Sequence, residues 1–336
     1  MKPLAGIRVL DFTQRLPGPL ATHILARAGA DVQKIEPPGG DPLDRATPLW
    51  PNAPATYRAL NAGKRIERVD LRDPGARERV ASLAAAADVV VEGFRPGVMA
   101  RFALDDETVR ACNPRVVYCS LTGYGAHGPR RERAGHDLSY LAESGVLSLL
   151  TTALGEPVVP GALIADIGAG AYPVVINVAL ALLARERTGI GTHLDCAIAR
   201  DLEPFALWAR ADGAAGDWPE TRSHLFTGRF ARYNVYRTAD DKWLAVAAIE
   251  PQFWERFCEA VELDAALRHE RDPEATRAGV AALVRSRDSR HWRALFQRVD
   301  ACCAIVDRIE EAFAGPQRDA VSVPLAPAFL QDDEAP

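Results

Sequence analysis

The chain has 336 residues, with 40 Lys and Arg against 45 Asp and Glu for a net charge of −5, and 48% of its residues are hydrophobic. That much apolar surface offsets the entropy of ordering and excludes intrinsic disorder, and the slight acidic excess argues against a dedicated nucleic-acid binder. At roughly 150 residues per domain, the length implies about two domains.

The N-terminal residues predict a strand at 7–12, a break at Pro17-Gly18-Pro19, a helix over 20–28 closed by Gly29, and a second strand at 31–35. Strand, helix and strand in so short a span make a βαβ unit, which demands a parallel sheet. A helix at 74–86 with a strand at 89–91, and a helix at 106–112 with a strand at 115–120, repeat the theme. The first half therefore reads as doubly wound α/β. Residues 37–61 are rich in Pro, Gly and Asp without periodicity and predict a long functional loop. A Gly- and Arg-rich loop at 123–135 leads into a helix at 137–144. Residues 210–222, polar and Gly-rich, predict a linker. Beyond it, 233–238 and 243–247 predict a β-hairpin, followed by helices at 251–261, 276–284 and 290–298.

The longest apolar run, residues 171–184, spans about 14 residues and includes Pro173 and Asn177, shorter than the roughly 20 a membrane span needs. No membrane segment is expected. The N-terminus lacks a charged-then-apolar signal. None of the six Cys forms a C-x-x-C pair, and the His residues lack ligand spacing. No metal site is expected, and buried, reduced thiols in a cytoplasmic protein are. Gly168-Ala169-Gly170 begins like a dinucleotide fingerprint but lacks the third Gly, so small residues for close helix packing are the better reading.

Three ionisable residues stand apart. His136 lies between the Gly-rich loop and a helix start, where Asp137 is placed to cap and free backbone N–H groups favour anions. Asp166 sits in the apolar run Ala162-Leu163-Ile164-Ala165-Asp166, where a carboxylate must be paired, protonated or functional. Glu250 ends an apolar strand just before Pro251.

Their surroundings resemble one family. The segments Leu4-Ala5-Gly6-Ile7-Arg8-Val9-Leu10-Asp11, Pro17-Gly18-Pro19, Gly63-Lys64-Arg65, Val69-Asp70-Leu71-Arg72, Glu92-Gly93-Phe94-Arg95-Pro96-Gly97 and Leu121-Thr122-Gly123-Tyr124-Gly125 resemble family III CoA-transferases, the CaiB/BaiF family. Ala134-Gly135-His136-Asp137-Leu138 and Ala248-Ile249-Glu250-Pro251-Gln252-Phe253 are similar to its α-methylacyl-CoA racemase branch. The resemblance implies a Rossmann-like large domain with a parallel sheet at 1–205, joined by 305–336 returning to it. It also implies a smaller α+β domain at 225–304, a linker at 206–224, and an interlocked homodimer.

It implies His136 and Asp166 as two bases acting on an acyl-CoA thioester substrate, and Glu250 as the carboxylate that pairs with the His across the dimer. Coenzyme A is expected at Val69, Asp70, Leu71, Arg72, Gly93, Phe94, Arg95, Arg101, Gly135 and Tyr140 as part of the substrate, with no resident cofactor. The backbone N–H at Asp137 is the expected oxyanion donor. The implied reaction is racemisation of 2-methylacyl-CoA through an enolate. The alternative is CoA transfer between carboxylic acids through an Asp166 anhydride and thioester. Pro37 stands where many family members carry Arg, and Lys34 or a loop Arg is expected to make up for the lost phosphate contact.

Overall fold

The computed structural model describes residues 2–314, 323–326 and 329. It divides into two compact units. The first holds the residues up to Leu147 with Val159–Ala206 and, near the end of the chain, the described residues 323–326 and 329; the second holds Ser148–Val158 with the described residues from Leu207 to 314. Residues 305–314, expected to rejoin the large domain, group with the second unit. Most of the remaining returning segment lies outside the described residues.

The first unit is a βα succession. In chain order it runs β1 (Arg8–Asp11), α1 (Pro17–Arg27), β2 (Asp31–Glu36), α2 (Ala53–Asn61), β3 (Arg65–Arg68), α3 (Pro74–Ala86), β4 (Val89–Glu92), α4 (Asp106–Cys112), β5 (Val117–Thr122) and α5 (Asp137–Glu143). A π-helical segment, Ala165–Ala171, continues into α6 (Tyr172–Thr188), followed by β6 (Thr192–Ala197) and the short α7 (Ile198–Asp201). The six strands form one parallel sheet in the order β3-β2-β1-β4-β5-β6. The order reverses between β1 and β4. At such a switch point neighbouring loops diverge to opposite faces and leave a crevice beyond the carboxyl ends of the strands.

Central strands show why the sheet is so ordered. Every residue of β4 and β5 is buried, the continuous burial of strands covered on both faces. The edge strand β3 (Arg-Ile-Glu-Arg) is mostly exposed, and for that reason carries no apolar pattern that would announce it. Pro17, expected to break the chain, instead opens α1. A Pro in the first turn lacks only an N–H that would be unpaired anyway, and its fixed φ suits the helix. The expected loop at 37–61 contains a 3-10 turn at Pro42–Asp44 and the two-and-a-half turns of α2.

The helix begun at Ala165 runs to Thr188. These 24 residues, with mean hydropathy 1.9 over their best 18-residue window, are long and apolar enough to cross a membrane. This corrects the expectation drawn from residues 171–184 alone, because the π-helical segment extends the apolar run toward its N-terminus. The close-packing reading of its glycines is borne out. A Cβ at Gly168 would lie 2.5 Å from the Phe205 ring, and one at Gly170 would lie 2.9 Å from Pro17 Cβ.

In the second unit come α8 (Leu207–Ala214), β7 (Tyr233–Arg237), β8 (Trp243–Ala247), α9 (Pro251–Ala260), α10 (Pro273–Arg285), α11 (Ser289–Phe296), β9 (Cys303–Ile305) and α12 (Ile309–Ala312). The hairpin is confirmed, with Arg237 opposite Trp243, and β9 adds an antiparallel third strand. Tyr236, Leu244, Val246, Trp254, Phe257, Val280, Val284 and Trp292 form its core. The expected linker is partly helical, since α8 occupies residues 207–214. All six Cys are free thiols. Cys119, Cys196 and Cys258 are buried as expected, but Cys112 and Cys302 are exposed.

Candidate active site

A cavity of about 670 Å³ opens at the carboxyl ends of β1, β4 and β5, beside the switch point. Thr13 to Gly18 after β1, Gly93 to Pro96 after β4, and Leu121 to Gly123 at the end of β5 form three walls. His136, Asp137, Tyr140, Leu163, Asp166 and Ile198 complete the far side. The structure thus brings His136 and Asp166 together in one cavity, from segments 30 residues apart in sequence.

Local sequence explains the placement. His136 is the N-cap residue of α5, with extended backbone (φ −139°). Its N–H donates to Ser139 Oγ at 2.9 Å, which fixes the entry to the helix. Gly123 and Gly135 leave room for the Tyr140 ring. A Cβ at Gly123 would fall 2.4 Å from the Tyr140 hydroxyl and one at Gly135 2.3 Å from its ring, so this side chain clamps the loop to the end of β5. Tyr140 also meets Tyr124 edge-to-face at 5.4 Å.

Asp166 sits at the start of the π-helical segment, an irregularity that recurs at functional sites. Its backbone N–H donates to Asp137 Oδ1 at 2.9 Å. The buried Asp137 carboxylate therefore ties the two reactive segments together. Burial pushes the Asp166 carboxyl up to about 6. The Asp137 charge adds to the shift and His136 opposes it. A carboxyl so tuned exchanges protons near neutral pH, as a general base or acid requires.

The expected CoA contacts divide. Gly93, Phe94, Arg95, Gly135 and Tyr140 line the cavity. Val69, Asp70, Leu71, Arg72 and Arg101 are not among its lining residues. Val69 is buried, and its N–H donates to Glu36 O at 2.7 Å. Arg72 is held by Asp70 through Nε and Nη2 at 2.9 and 2.8 Å, with its side chain largely exposed. Glu250 is the exposed N-cap residue of α9, in the second unit.

Lys34 does not stand in for the Arg absent at position 37. It is fully buried, with Nζ 2.9 Å from Asp41, 3.5 Å from Glu36 and 3.2 Å from Asn61. Sequence reasoning did not find the network around it. Lys64 Nζ donates to Pro19 O and Thr22 Oγ1 at 2.8 Å and reaches Asp11 at 3.3 Å, and Tyr57 donates to Glu36 at 2.8 Å. Burial pulls the Lys64 ammonium down to about 8, against the opposing pull of Asp11. The only sequence signal was a buried-strand setting for Lys34 and Glu36.

Also missed was Glu92, at the end of β4. It is buried, its carboxylate accepts from the Phe94 N–H at 2.8 Å, and desolvation pushes it up to about 7. Ser120 lies 3.1 Å from His193, which lies 3.4 Å from Asp106, and Ser120 also bonds Glu92.

The sequence profile of CoA-transferase family III matches residues 4–323. The chain belongs to CoA-transferase family III. A probable fatty acyl-CoA transferase of Mycobacterium tuberculosis is 37% identical over 271 residues, covering 76% of this chain and 68% of that protein. Succinyl-CoA:glutarate CoA-transferase of Mus musculus is 34% identical over 265 residues, 78% of this chain and 60% of that one. α-Methylacyl-CoA racemase of Mus musculus is 31% identical over 315 residues, 92% and 79% respectively. A crystal structure of a CaiB/BaiF family protein from Brucella suis superposes with a TM-score of 0.79 at 29% identity, covering 94% of this chain and 87% of that one. This family III protein is thus an enzyme of a group that holds both racemases and CoA-transferases.

Proposed function

We propose that the protein interconverts (R)- and (S)-2-methylacyl-CoA by removing and returning the α-proton. The carrying observation is the pair His136 and Asp166 in one cavity, with Asp137 bonded to the backbone of Asp166. Racemisation needs a base on each face of a planar enolate, each serving as acid in the reverse direction. A thioester makes the α-proton acidic enough for a carboxylate or imidazole to take it. The backbone N–H of Asp137, at the first position of α5, has no partner inside the helix and is the donor offered to the enolate oxygen. The chemistry calls for no resident cofactor.

CoA transfer is the second reading. There the Asp166 carboxylate attacks the thioester carbonyl, releasing CoA thiolate and leaving an acyl anhydride; CoA thiolate then attacks that anhydride at the Asp166 carbonyl, releasing the first carboxylic acid. A carboxyl half-withdrawn from water suits this as well. What favours racemisation is His136, because transfer needs no base at that position.

Glu250 joins the site in this reading as the partner of His136 from a second subunit of an interlocked homodimer. The exposed face of α6 supports an interface between copies. Tyr172, Ile176, Leu180 and Leu183 form an apolar stripe at helical spacing that leaves each residue 39–58% exposed. The same helix carries Asp166 at its start and Arg185-Glu186-Arg187 at its end, and packs on α1 and β5. We therefore read it as a core and interface helix of a cytoplasmic protein rather than a membrane span.

The test is α-proton exchange in deuterated water. Incubation with a 2-methylacyl-CoA should place deuterium at C2, and His136→Ala should remove that activity. Unchanged exchange in H136A would overturn the assignment. Hydroxylamine trapping of an acyl group at Asp166, with no exchange, would favour transfer instead.

A further inference from the structure

Glu250 is the N-cap residue of α9, yet its carboxylate makes no capping bond to that helix. Its backbone, by contrast, is held on both sides. The carbonyl before it, Ile249 O, accepts from Arg232 Nη1 at 3.2 Å. Its own carbonyl accepts from the Phe253 and Trp254 N–H groups, each at 3.0 Å. Pro251 adds a further constraint, because the residue before a proline is kept in the extended region, and Glu250 lies there at φ −72° and ψ 146°. A residue has only two soft backbone dihedrals. With both flanking peptides held, the direction in which the Glu250 side chain leaves the backbone is fixed.

Arg232 stands just before β7 and is itself anchored. Its Nε pairs with Glu270 Oε2, and Glu270 Oε1 accepts from the Ala231 N–H at 2.8 Å. Glu270 is buried, with a left-handed backbone (φ +49°). The guanidinium lies over the Trp254 ring, 5.1 Å from its centroid, and the ring nitrogen Nε1 donates to Arg268 O at 2.7 Å. One fork thus ties the segment before β7 and the segment before α10 to the first turn of α9. A buried ion pair is weak support for stability, since apolar residues of similar volume often fill such a space as well. What an apolar replacement would not supply is the donor to Ile249 O.

We propose that Arg232 is a positioning residue: through Ile249 O it fixes the direction in which the Glu250 carboxylate leaves the start of α9, and it acts on the reaction through Glu250. This rests on the reading given above in which Glu250 pairs with His136. Arg232 itself touches no substrate. Its planar fork presents diverging donors, so it serves Glu270 and Ile249 O at once. A lysine in its place keeps a charge opposite Glu270 and lacks the fork.

The experiment is a double-variant cycle on deuterium exchange at C2 of a 2-methylacyl-CoA, with the wild type, Glu250→Gln, Arg232→Lys and the combined protein. R232K leaves Glu270 its cation, so the fold is kept. E250Q should lower kcat by about a hundredfold and R232K by about tenfold, with KM in each within about threefold of wild type, since a misplaced group costs rate more than binding. In the E250Q background R232K should cost nothing further. A wild-type rate in R232K would overturn the proposal. So would a loss that persists undiminished in the E250Q background, because Arg232 would then act on the fold alone. Unchanged exchange in E250Q would remove Glu250 from the site, and the role of Arg232 with it. NMR titration of the His136 imidazole supplies a readout that needs no turnover. A paired carboxylate raises the proton affinity of an imidazole. E250Q should therefore lower the midpoint, R232K should lower it by less, and the combined protein should match E250Q. Those shifts in a protein without exchange activity would uphold the role of Arg232 and count against the racemase reading alone.

Discussion

Asp11 and Asp166 are both carboxylates at the edge of one cavity's scaffold, and their surroundings have little in common. Asp11 has its lone pairs filled. Thr13 donates twice to Oδ1, at 2.8 and 2.6 Å, while Thr22 and Lys64 meet Oδ2 at 2.5 and 3.3 Å. The side chain of Asp166 has no hydrogen-bond donor among the described residues. It is half-buried beside a second acid and shifted up to about 6. One carboxylate is held by four donors and keeps strand, helix and loop in register. The other keeps free lone pairs and an altered proton affinity. Saturated partners make a buried charge structural, and withheld partners leave it available for chemistry.

The contrast can be broken from either side. The largest effect is expected at Asp166. Asp166→Asn should lower exchange at C2 by about a thousandfold or more while binding of free CoA persists. Residual activity within tenfold of wild type would show that the open carboxylate is not the working one. On the saturated side, Lys34→Met strips the buried Asp41 and Glu36 of their cation, and removing one partner of such a pair costs about 3–5 kcal/mol. Chemical denaturation should show a loss of that size.

Glu92 lies between the two extremes, buried, with the Phe94 N–H at 2.8 Å and the Ser120 side chain as its partners. Its folded proton affinity is raised to about 7 from an ordinary 4.5, so the unfolded chain releases the proton first as pH rises. The stability it contributes is complete below about pH 4.5 and is lost as pH rises through about 7, a swing on the order of 3 kcal/mol. Glu92→Gln keeps an acceptor for the Phe94 N–H and removes the titration. Its urea midpoint should exceed wild type at pH 8 and approach it at pH 5, and a parallel pH dependence in both proteins would contradict the assignment. A smaller effect is expected from Gly135→Ala. Its methyl would collide with the Tyr140 ring, costing about 1–3 kcal/mol as the loop shifts, read as a lower melting temperature. Smallest of all, Asp137→Asn removes the charge that helps raise Asp166. The acid limb of the rate profile, which rises with pH through about 6 as Asp166 ionises, should move to lower pH by less than about one unit.

What could be read beforehand followed from local pattern. The βαβ succession and the hairpin at 233–247 announce themselves by periodicity, because their apolar residues face one core. α2 escaped because its buried face includes Tyr57 and Asn61, which serve the ion network rather than an apolar core. β3 and β6 escaped because edge strands carry polar residues. His136, Asp166 and Glu250 stood out through sequence settings that suit them to reaction. The Lys34–Asp41 and Lys64–Asp11 pairs did not, since 7 and 53 residues separate the partners and only the folded chain brings them together. Arg232 was hidden for the same reason. Nothing in Phe230-Ala231-Arg232-Tyr233 discloses that Glu270 will hold it.

The π-helical turn bearing Asp166 has a consequence for insertions and deletions. A π segment accommodates a residue that an α-helix has no place for, and each helical residue turns the chain by about 100°. Removing one residue between Ala165 and Ala171 would let the segment relax to ordinary α-helical winding with α6 still seated on α1 and β5. The carboxylate, however, would swing by roughly a quarter-turn or more, away from Asp137 and out of the cavity. Residue count along this stretch thus acts as an alignment dial: a chain one residue shorter would keep its architecture and forfeit its chemistry.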